Sequence, residues 1–183
     1  MPPCPPTRLD AGPVVLRRNE AADAEAIAAV VAANLDHLRP WMPWADEEAG
    51  TVERQRSRID EVAEQWARGT DHGYVILDPD ESTVLGACGL HRRVGEGGIE
   101  IGYWVHVDHV GRGIATAAAR ALTDAALALP DVQRVEIRCD EANPRSAAVP
   151  RRLGYRLDRV EEVEVTAPAE TGRRMIWVLD PPS

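Results

Sequence analysis

The sequence predicts a mixed α/β (α+β) fold: a single domain whose central sheet, mostly antiparallel and of about seven strands, is flanked by about four helices. Three observations carry this expectation. Apolar residues alternate along several short runs, and they recur at helical spacing along several longer ones. One run, Ile99-Glu-Ile-Gly-Tyr-Trp-Val-His-Val107, passes through a glycine-bearing loop, Asp-His-Val-Gly-Arg-Gly-Ile-Ala-Thr116, into an alanine-rich helix. The length agrees, since 183 residues bury one sizeable core, and 44% hydrophobic with 28% charged content is that of an ordinary globular chain.

Residues 1–13 are rich in proline and are expected to be disordered, which leaves one domain over 14–183. Residues 14–16 read as a short first strand. Ile27, Val30, Val31 and Leu35 then recur at helical spacing, with Asn19 as an N-cap. The loop Leu38-Arg-Pro-Trp-Met-Pro-Trp44 follows, and Val52, Ile59, Val62 and Trp66 mark one face of a second helix that stops before Gly69. Residues 73–77 and 84–90 predict a hairpin closed through Asp78-Pro-Asp80, after which comes the strand with Glu100. A helix runs from Gly113 until Pro130-Asp131 stops it, and Val135, Ile137 and Cys139 alternate in the next strand. The helix between makes a parallel contact of these two strands the expected one. Asn143 can cap a fourth helix with Pro144 at its first position, where a missing N–H costs little. Pro150 would remove the bond to the Ser146 carbonyl and is expected to kink that helix or end it early. Residues 160–166 and 173–179 read as the last two strands, around a loop with Pro168 and Gly172.

Composition narrows the function. A formal charge of −9 argues against nucleic acid as a direct ligand and favours a cationic acceptor. No Lys occurs, so a Walker-type phosphate lysine is excluded. Cys4, Cys88 and Cys139 are odd in number and widely spaced, which suggests neither a disulfide framework nor a zinc site; no metal is expected. No apolar run approaches membrane-spanning length, and the start of the chain lacks the charge and apolar core of a signal peptide, so a cytoplasmic protein is expected.

Alternation places Ile99, Ile101, Tyr103, Val105 and Val107 on one face of the central strand, and Glu100, Gly102, Trp104 and His106 on the other. Gly111 and Gly113 let backbone amides approach a ligand closely, and the helix that follows begins with N–H groups lacking internal partners. That combination is an anion site suited to phosphate. A dinucleotide-binding oxidoreductase is a competing reading of Gly111-Arg-Gly113-Ile-Ala-Thr116, but the third glycine is missing and the loop follows a hairpin instead of opening a βαβ unit.

With these residues in place the chain resembles the GNAT superfamily of acyl-coenzyme A dependent N-acetyltransferases, whose signature Q/R-x-x-G-x-G/A corresponds to Val110-Gly-Arg-Gly113-Ile-Ala115. Leu38-Arg-Pro-Trp-Met-Pro-Trp44, Glu100-Ile-Gly-Tyr-Trp104, Asn143-Pro-Arg-Ser146 and Leu153-Gly-Tyr155 resemble the branch that acetylates the N-termini of ribosomal proteins. Val110 departs from the signature's Gln or Arg, although an amide cradle needs only backbone. The resemblance implies acetyl-coenzyme A as cosubstrate, held by Val105, His106, Val107, Gly111, Arg112, Gly113, Ile114, Ala115 and Thr116, with Asn143 touching the pantetheine arm. It implies an amine acceptor, a cationic peptide N-terminus among the candidates, and leaves self-association into a homodimer open.

Acetyl transfer to an amine needs a base, because an ammonium has no lone pair and a lysine-like amine holds its proton up to a pKa near 10. Glu100, a carboxylate in an apolar strand at the position of the family's catalytic glutamate, is the candidate, with a bridging water; a solvated or ion-paired glutamate is the plainer alternative. His106 shares its face and is read as lining the cofactor groove. The oxyanion donor implied is a backbone amide near a bulge at Val105 or its neighbours. Ser146 matches the serine that protonates the departing thiolate, and as a first-turn residue it can also serve the helix cap. Trp41 and Trp44 either pack inward or wall the acceptor site, and Asp46-Glu47-Glu48 either attracts a cation or starts a helix. Small-molecule amine acyltransferases and a non-catalytic coenzyme A binding protein remain alternatives.

Overall fold

In the computed structural model, which describes residues 3–181, the chain runs β1 (Arg8–Asp10), β2 (Val15–Arg18), α1 (Ala24–Leu38), α2 (Val52–Arg68), β3 (Asp71–Leu77), β4 (Val84–His91), β5 (Gly98–Val105), α3 (Ile114–Leu127), β6 (Arg134–Asp140), α4 (Pro144–Arg152), β7 (Arg156–Glu162) and β8 (Arg173–Leu179). The strands form one sheet in the order β1-β2-β3-β4-β5-β6-β8-β7. Neighbours pair antiparallel except β5 with β6, whose parallel contact is the one expected of a strand–helix–strand crossover. The sheet has eight strands where about seven were expected.

Helices cover both faces. Ala118, Ala119, Leu122 and Ala126 of α3 are fully buried against Ile99 and Ile101 of β5 and Val135 and Ile137 of β6. On the opposite face Ile27 and Val31 of α1 and Ile59 of α2 pack on Val75 and Leu77 of β3 and Val84 of β4. Thr51 caps α2 by accepting the Arg54 N–H, and Gly69 ends it in the left-handed region at φ +68°.

Four local expectations need correction. The segment expected to lack structure up to residue 13 carries β1, paired with β2 from Arg8↔Arg17 to Asp10↔Val15; Tyr74 donates its hydroxyl to Pro6 O at 2.8 Å, and Leu9 packs on the core. Proline masks strand signal there without preventing pairing at an edge; Met1 and Pro2 lie outside the described residues. Asn19 does not cap α1. A short 3-10 turn over residues 21–23 leads into the helix, and Asp23 Oδ2 accepts the Glu20 N–H at 2.7 Å. The last strand but one lies at Arg156–Glu162 instead of 160–166, because Thr166 and Ala167 donate their N–H groups to the Glu170 carboxylate and fold the later residues into a loop. Finally, β4 and β5 pair without a register shift up to Gly86↔Val105, so the bulge expected beside Val105 is absent; the irregularity lies between Ile76 and Leu77.

Candidate active site

The geometry of the site follows from where a parallel ladder stops. β5 and β6 pair from Gly98↔Arg134 to Ile101↔Ile137 and no further, so the stretch from Gly102 to Val105 has no strand partner on the β6 side. Above this gap, towards α3 and α4, stands Tyr103; below it, towards α1 and α2, stand Gly102 and Trp104, as alternation requires.

An amide cradle lies beyond the end of β5. His106 Nδ1 accepts the Asp108 N–H at 3.1 Å and caps a short turn, while Asn34, buried in α1, accepts the Val107 N–H at 2.7 Å. These contacts fix the approach of the chain to Gly111 and Gly113, which take φ of +77° and +81°; a Cβ at either would meet nothing within 4 Å. The N–H groups of residues 111–116 find no acceptor among the described residues, and they form the loop and first turn of α3. Unpaired amides, open space and the positive end of a helix dipole fit a diphosphate. The residues expected to hold the pyrophosphate of coenzyme A therefore suit that group. Val110 turns its side chain onto the core, so the departure from the signature leaves the cradle's backbone intact.

A row of titratable side chains crosses four strands on the α1/α2 face: Asp71 opposite His91, His91 opposite Glu100, Glu100 opposite Glu136. Glu100 is buried and bound twice by Arg93, at 2.6 Å and 3.0 Å, with Arg138 3.9 Å away. Burial opposes its charge, yet the bonds to Arg93 and the charges of Arg93, His91 and Arg138 hold its carboxyl below the ordinary range. Glu100 is thus an ionised carboxylate in an ion pair. Glu136 is bound by Arg134 and Arg138. His91 Nδ1 lies 2.5 Å from Asp71, and that bond is the main reason the Asp71 carboxyl is also held low.

At the other end of this face Trp104 meets Trp44, ring centroids 6.3 Å apart. Trp44 is 43% exposed and Trp41 half-buried, so Trp44 stands in the open as a wall of the face that carries Glu100. Asp46 accepts the Ala49 N–H, a turn-capping contact. The loop after β7 closes on the same region, where Ala169 donates its N–H to Pro40 O.

Across the gap, Asn143 caps α4 by accepting the Ser146 N–H at 3.1 Å, and Pro144 follows at the first helical position. Pro150 lies inside the helix, which ends at Arg152, and has no N–H to give the Ser146 carbonyl. Tyr103 supplies the missing donor: its hydroxyl reaches Ser146 O at 3.1 Å and lies 3.4 Å from Ser146 Oγ. Burial raises the Tyr103 pKa, so the phenol stays protonated and can donate. Sequence reasoning named Glu100, Ser146 and Asn143 but missed Tyr103 as the bridge to α4, Arg93 and Arg138 as partners of Glu100, Asn34 as the tether of the loop, and the pair Asp71–His91. The register of β4 on β5, which sets His91 opposite Glu100, was the signal that could have found the last of these.

Comparison with known proteins identifies the family and the fold. The family model for an acetyltransferase (GNAT) domain matches residues 14–156. The Bacillus subtilis protein YdaF, provisionally named a ribosomal N-acetyltransferase, is 30% identical over 146 residues, covering 78% of this chain and 77% of its own. The Escherichia coli [ribosomal protein uS5]-alanine N-acetyltransferase is 25% identical, over 82% and 79% of the two chains. The crystal structure of a ribosomal-protein-S5-alanine acetyltransferase from Vibrio fischeri superposes with a TM-score of 0.85 at 19% identity, over 96% of this chain and 97% of that one. The chain belongs to the GNAT acetyltransferase family and is an acyl-coenzyme A dependent N-acyltransferase.

Proposed function

We propose that this enzyme, acting as a single domain, acetylates the N-terminal amine of a protein or peptide, with acetyl-coenzyme A as donor. The acyl donor, when bound, supplies a thioester whose carbonyl carbon is open to attack. The chain's own residues do the rest. The amides of residues 111–116, with Arg112 beside them, receive the diphosphate, and Val105, His106, Val107 and Asn143 flank the path of the arm. Unpaired backbone in the gap after Ile101 offers amide donors to the developing oxyanion. Glu100, ionised on the acceptor face, draws the ammonium in and starts its proton outward through a water. Ser146, with the Tyr103 hydroxyl beside it, is placed to protonate the departing thiolate.

The single observation that carries the acceptor assignment is the exposed Trp44 ring set against Trp104, on the face of the sheet that also carries the Glu100 carboxylate. It suits a cation borne on a chain that lies against an aromatic wall. Two curated relatives named for ribosomal-protein acetylation support it. The test is an acceptor panel: N-terminal peptides against spermidine and aminoacyl adenylates, with the parent and with Trp44→Ala. Peptides should react, and Trp44→Ala should raise their KM about tenfold, as expected for loss of a partly exposed aromatic contact. Reaction of small amines alone, or peptide kinetics unmoved by Trp44→Ala, would give the site to a small-molecule transferase.

A further inference from the structure

A carboxylate that two arginines hold below its ordinary range draws in an ammonium well but retains a proton poorly at neutral pH. The proton released on acylation needs a better resting place, and a buried-edge imidazole stands directly opposite. His91 is the last residue of β4 and pairs with Glu100 across the antiparallel ladder, so both side chains leave the sheet on the same face. Its ring lies over Gly89 and Gly102. A Cβ built on Gly89 would come within 3.1 Å of Nε2 and 3.2 Å of Cε1, and one on Gly102 within 3.4 Å of Nε2. A side chain at Gly89 would press on the ring and on His72 O, while a Cβ at Gly102 would make ordinary contact with the ring. Gly102 is also the first residue beyond the last β5–β6 pair, where the gap in the sheet begins. The glycine floor therefore runs without side chains from the His91 ring to Ala87 and Trp104, the aromatic end of the acceptor face.

The orientation of the ring is fixed from behind. Asp71 lies opposite His91 on β3, and its carboxylate, ionised at neutral pH, can only accept; the hydrogen on Nδ1 therefore points at Asp71 Oδ1, 2.5 Å away. In the neutral ring this leaves the Nε2 lone pair, and among the described residues nothing donates to it. The other charged groups around this ring are Glu100 from β5, Arg92 and Arg93 just beyond β4, and Arg58 from α2, which acts on Asp71; His72, next to Asp71 on β3, leaves the sheet on the opposite face. A carboxylate behind one nitrogen and a free lone pair on the other is the arrangement of a general base.

We propose that His91 receives the acceptor's proton at Nε2 and that Asp71 is its positioning residue. The inference rests on the N-acyltransfer reading. As the amine nitrogen bonds to the thioester carbonyl carbon and the carbon–sulfur bond breaks, the proton on that nitrogen passes to Nε2, directly or through the water held by Glu100. The thiolate leaves with the sulfur's electron pair and takes a proton from the Ser146 hydroxyl, which regains one from solvent. The imidazolium so formed lies against Asp71 and opposite Glu100, and it returns its proton to solvent once product leaves.

The test compares parent, His91→Gln, His91→Gly, Asp71→Asn and Glu100→Gln in kcat/KM against pH, on whichever amine the parent acetylates best. His91→Gln should lose about 100-fold at pH 7 and recover most of it in alkali, where free amine is plentiful, with acetyl-coenzyme A affinity by calorimetry unchanged. Added imidazole should restore His91→Gly, whose missing ring leaves a space floored by glycine, and the rescue should follow imidazole's own titration. Asp71→Asn should fall about tenfold and shift the profile without altering donor affinity. If a His91 variant fails to fold, Asp71→Asn carries the comparison. Parent-like rates in both His91 variants, no imidazole rescue, or a profile flattened only by Glu100→Gln would overturn the assignment. A parent that acetylates small amines but no peptide refutes the peptide reading alone, and the His91 comparison is then made on those amines; a parent that acetylates no amine refutes both.

Discussion

His72 shows how one side chain ties the stability of this enzyme to pH. Its ring is fully buried, set edge-on against Trp66 with centroids 4.6 Å apart, and neither ring nitrogen has a hydrogen-bond partner among the described residues. Burial pushes its pKa down to about 4 from the ordinary 6.5, so the folded protein holds it neutral where the unfolded chain would take up a proton. The unfolded state therefore binds more protons between those two values, and stability falls as pH drops through that window, by up to about 3 kcal/mol in the limit. Replacing His72 with Leu should make the melting temperature fall less between pH 7.5 and pH 5 than it does in the parent. Scanning calorimetry at both values checks this, and an equal fall in both proteins would remove His72 as a cause of acid sensitivity. Nothing in the sequence set this histidine apart from His91, which is half-buried beside the Asp71 carboxylate. Which of two histidines is dry depends on strands brought together over distance, so the spacing of the residues could not assign the roles.

Among the elements, α4 carries the most consequential local conflict. Pro150 denies the Ser146 carbonyl its helical donor, and the Tyr103 hydroxyl repairs the loss from another strand. A buried carbonyl left without a donor costs about 1–3 kcal/mol, and Ser146 is half-buried, so Tyr103→Phe should destabilise the parent by about 1 kcal/mol, the lower end of that range. In a Pro150→Ala background, where residue 150 can again donate to Ser146, the same change should cost clearly less. A double-mutant cycle by chemical denaturation measures the difference, and additive effects would refute the coupling. The sequence foretold that Pro150 disturbs this helix but not what answers it, because the answer comes from Tyr103 on β5, 43 positions from Ser146. The same distinction runs through the fold. Strands β3 to β6 and β8 were legible because they are apolar runs, buried over most of their length and bounded by turn residues, and Asn143, Pro144 and Gly69 marked helix ends through purely local chemistry. The edge strands were not. β1 lies in a proline-rich segment, and β7 is an exposed run in which Arg156, Asp158, Arg159 and Glu161 pair with one another, so neither has an apolar rhythm to read. Within the site, the cradle and the candidates Glu100 and Ser146 were visible as motifs. Arg93, which decides the charge state of Glu100, was not, since the two meet only across the turn between β4 and β5.

For the molecule as a whole, the proposed reaction is divided between two faces of one sheet: the amide cradle before α3 for an anionic donor, and the face toward α1 and α2, with Trp44, Trp104 and Glu100, for a cationic acceptor. Among the described residues no helix is long and apolar enough to cross a membrane, and no cluster of side chains could hold a metal ion. The net charge of −9 should add a long-range attraction for a positively charged acceptor, one that added salt screens over about 10 Å at 0.1 M, and no such attraction for coenzyme A, itself an anion. The most direct test of the account is thiol release from acetyl-coenzyme A with one basic peptide in two forms, its N-terminus free or formyl-blocked, at low and high salt. The account predicts release with the free form alone, mass spectrometry placing one acetyl group on the N-terminal nitrogen, and an apparent peptide affinity that weakens as salt rises while that of the donor does not follow. Equal release from the blocked peptide, or none from either, would contradict it.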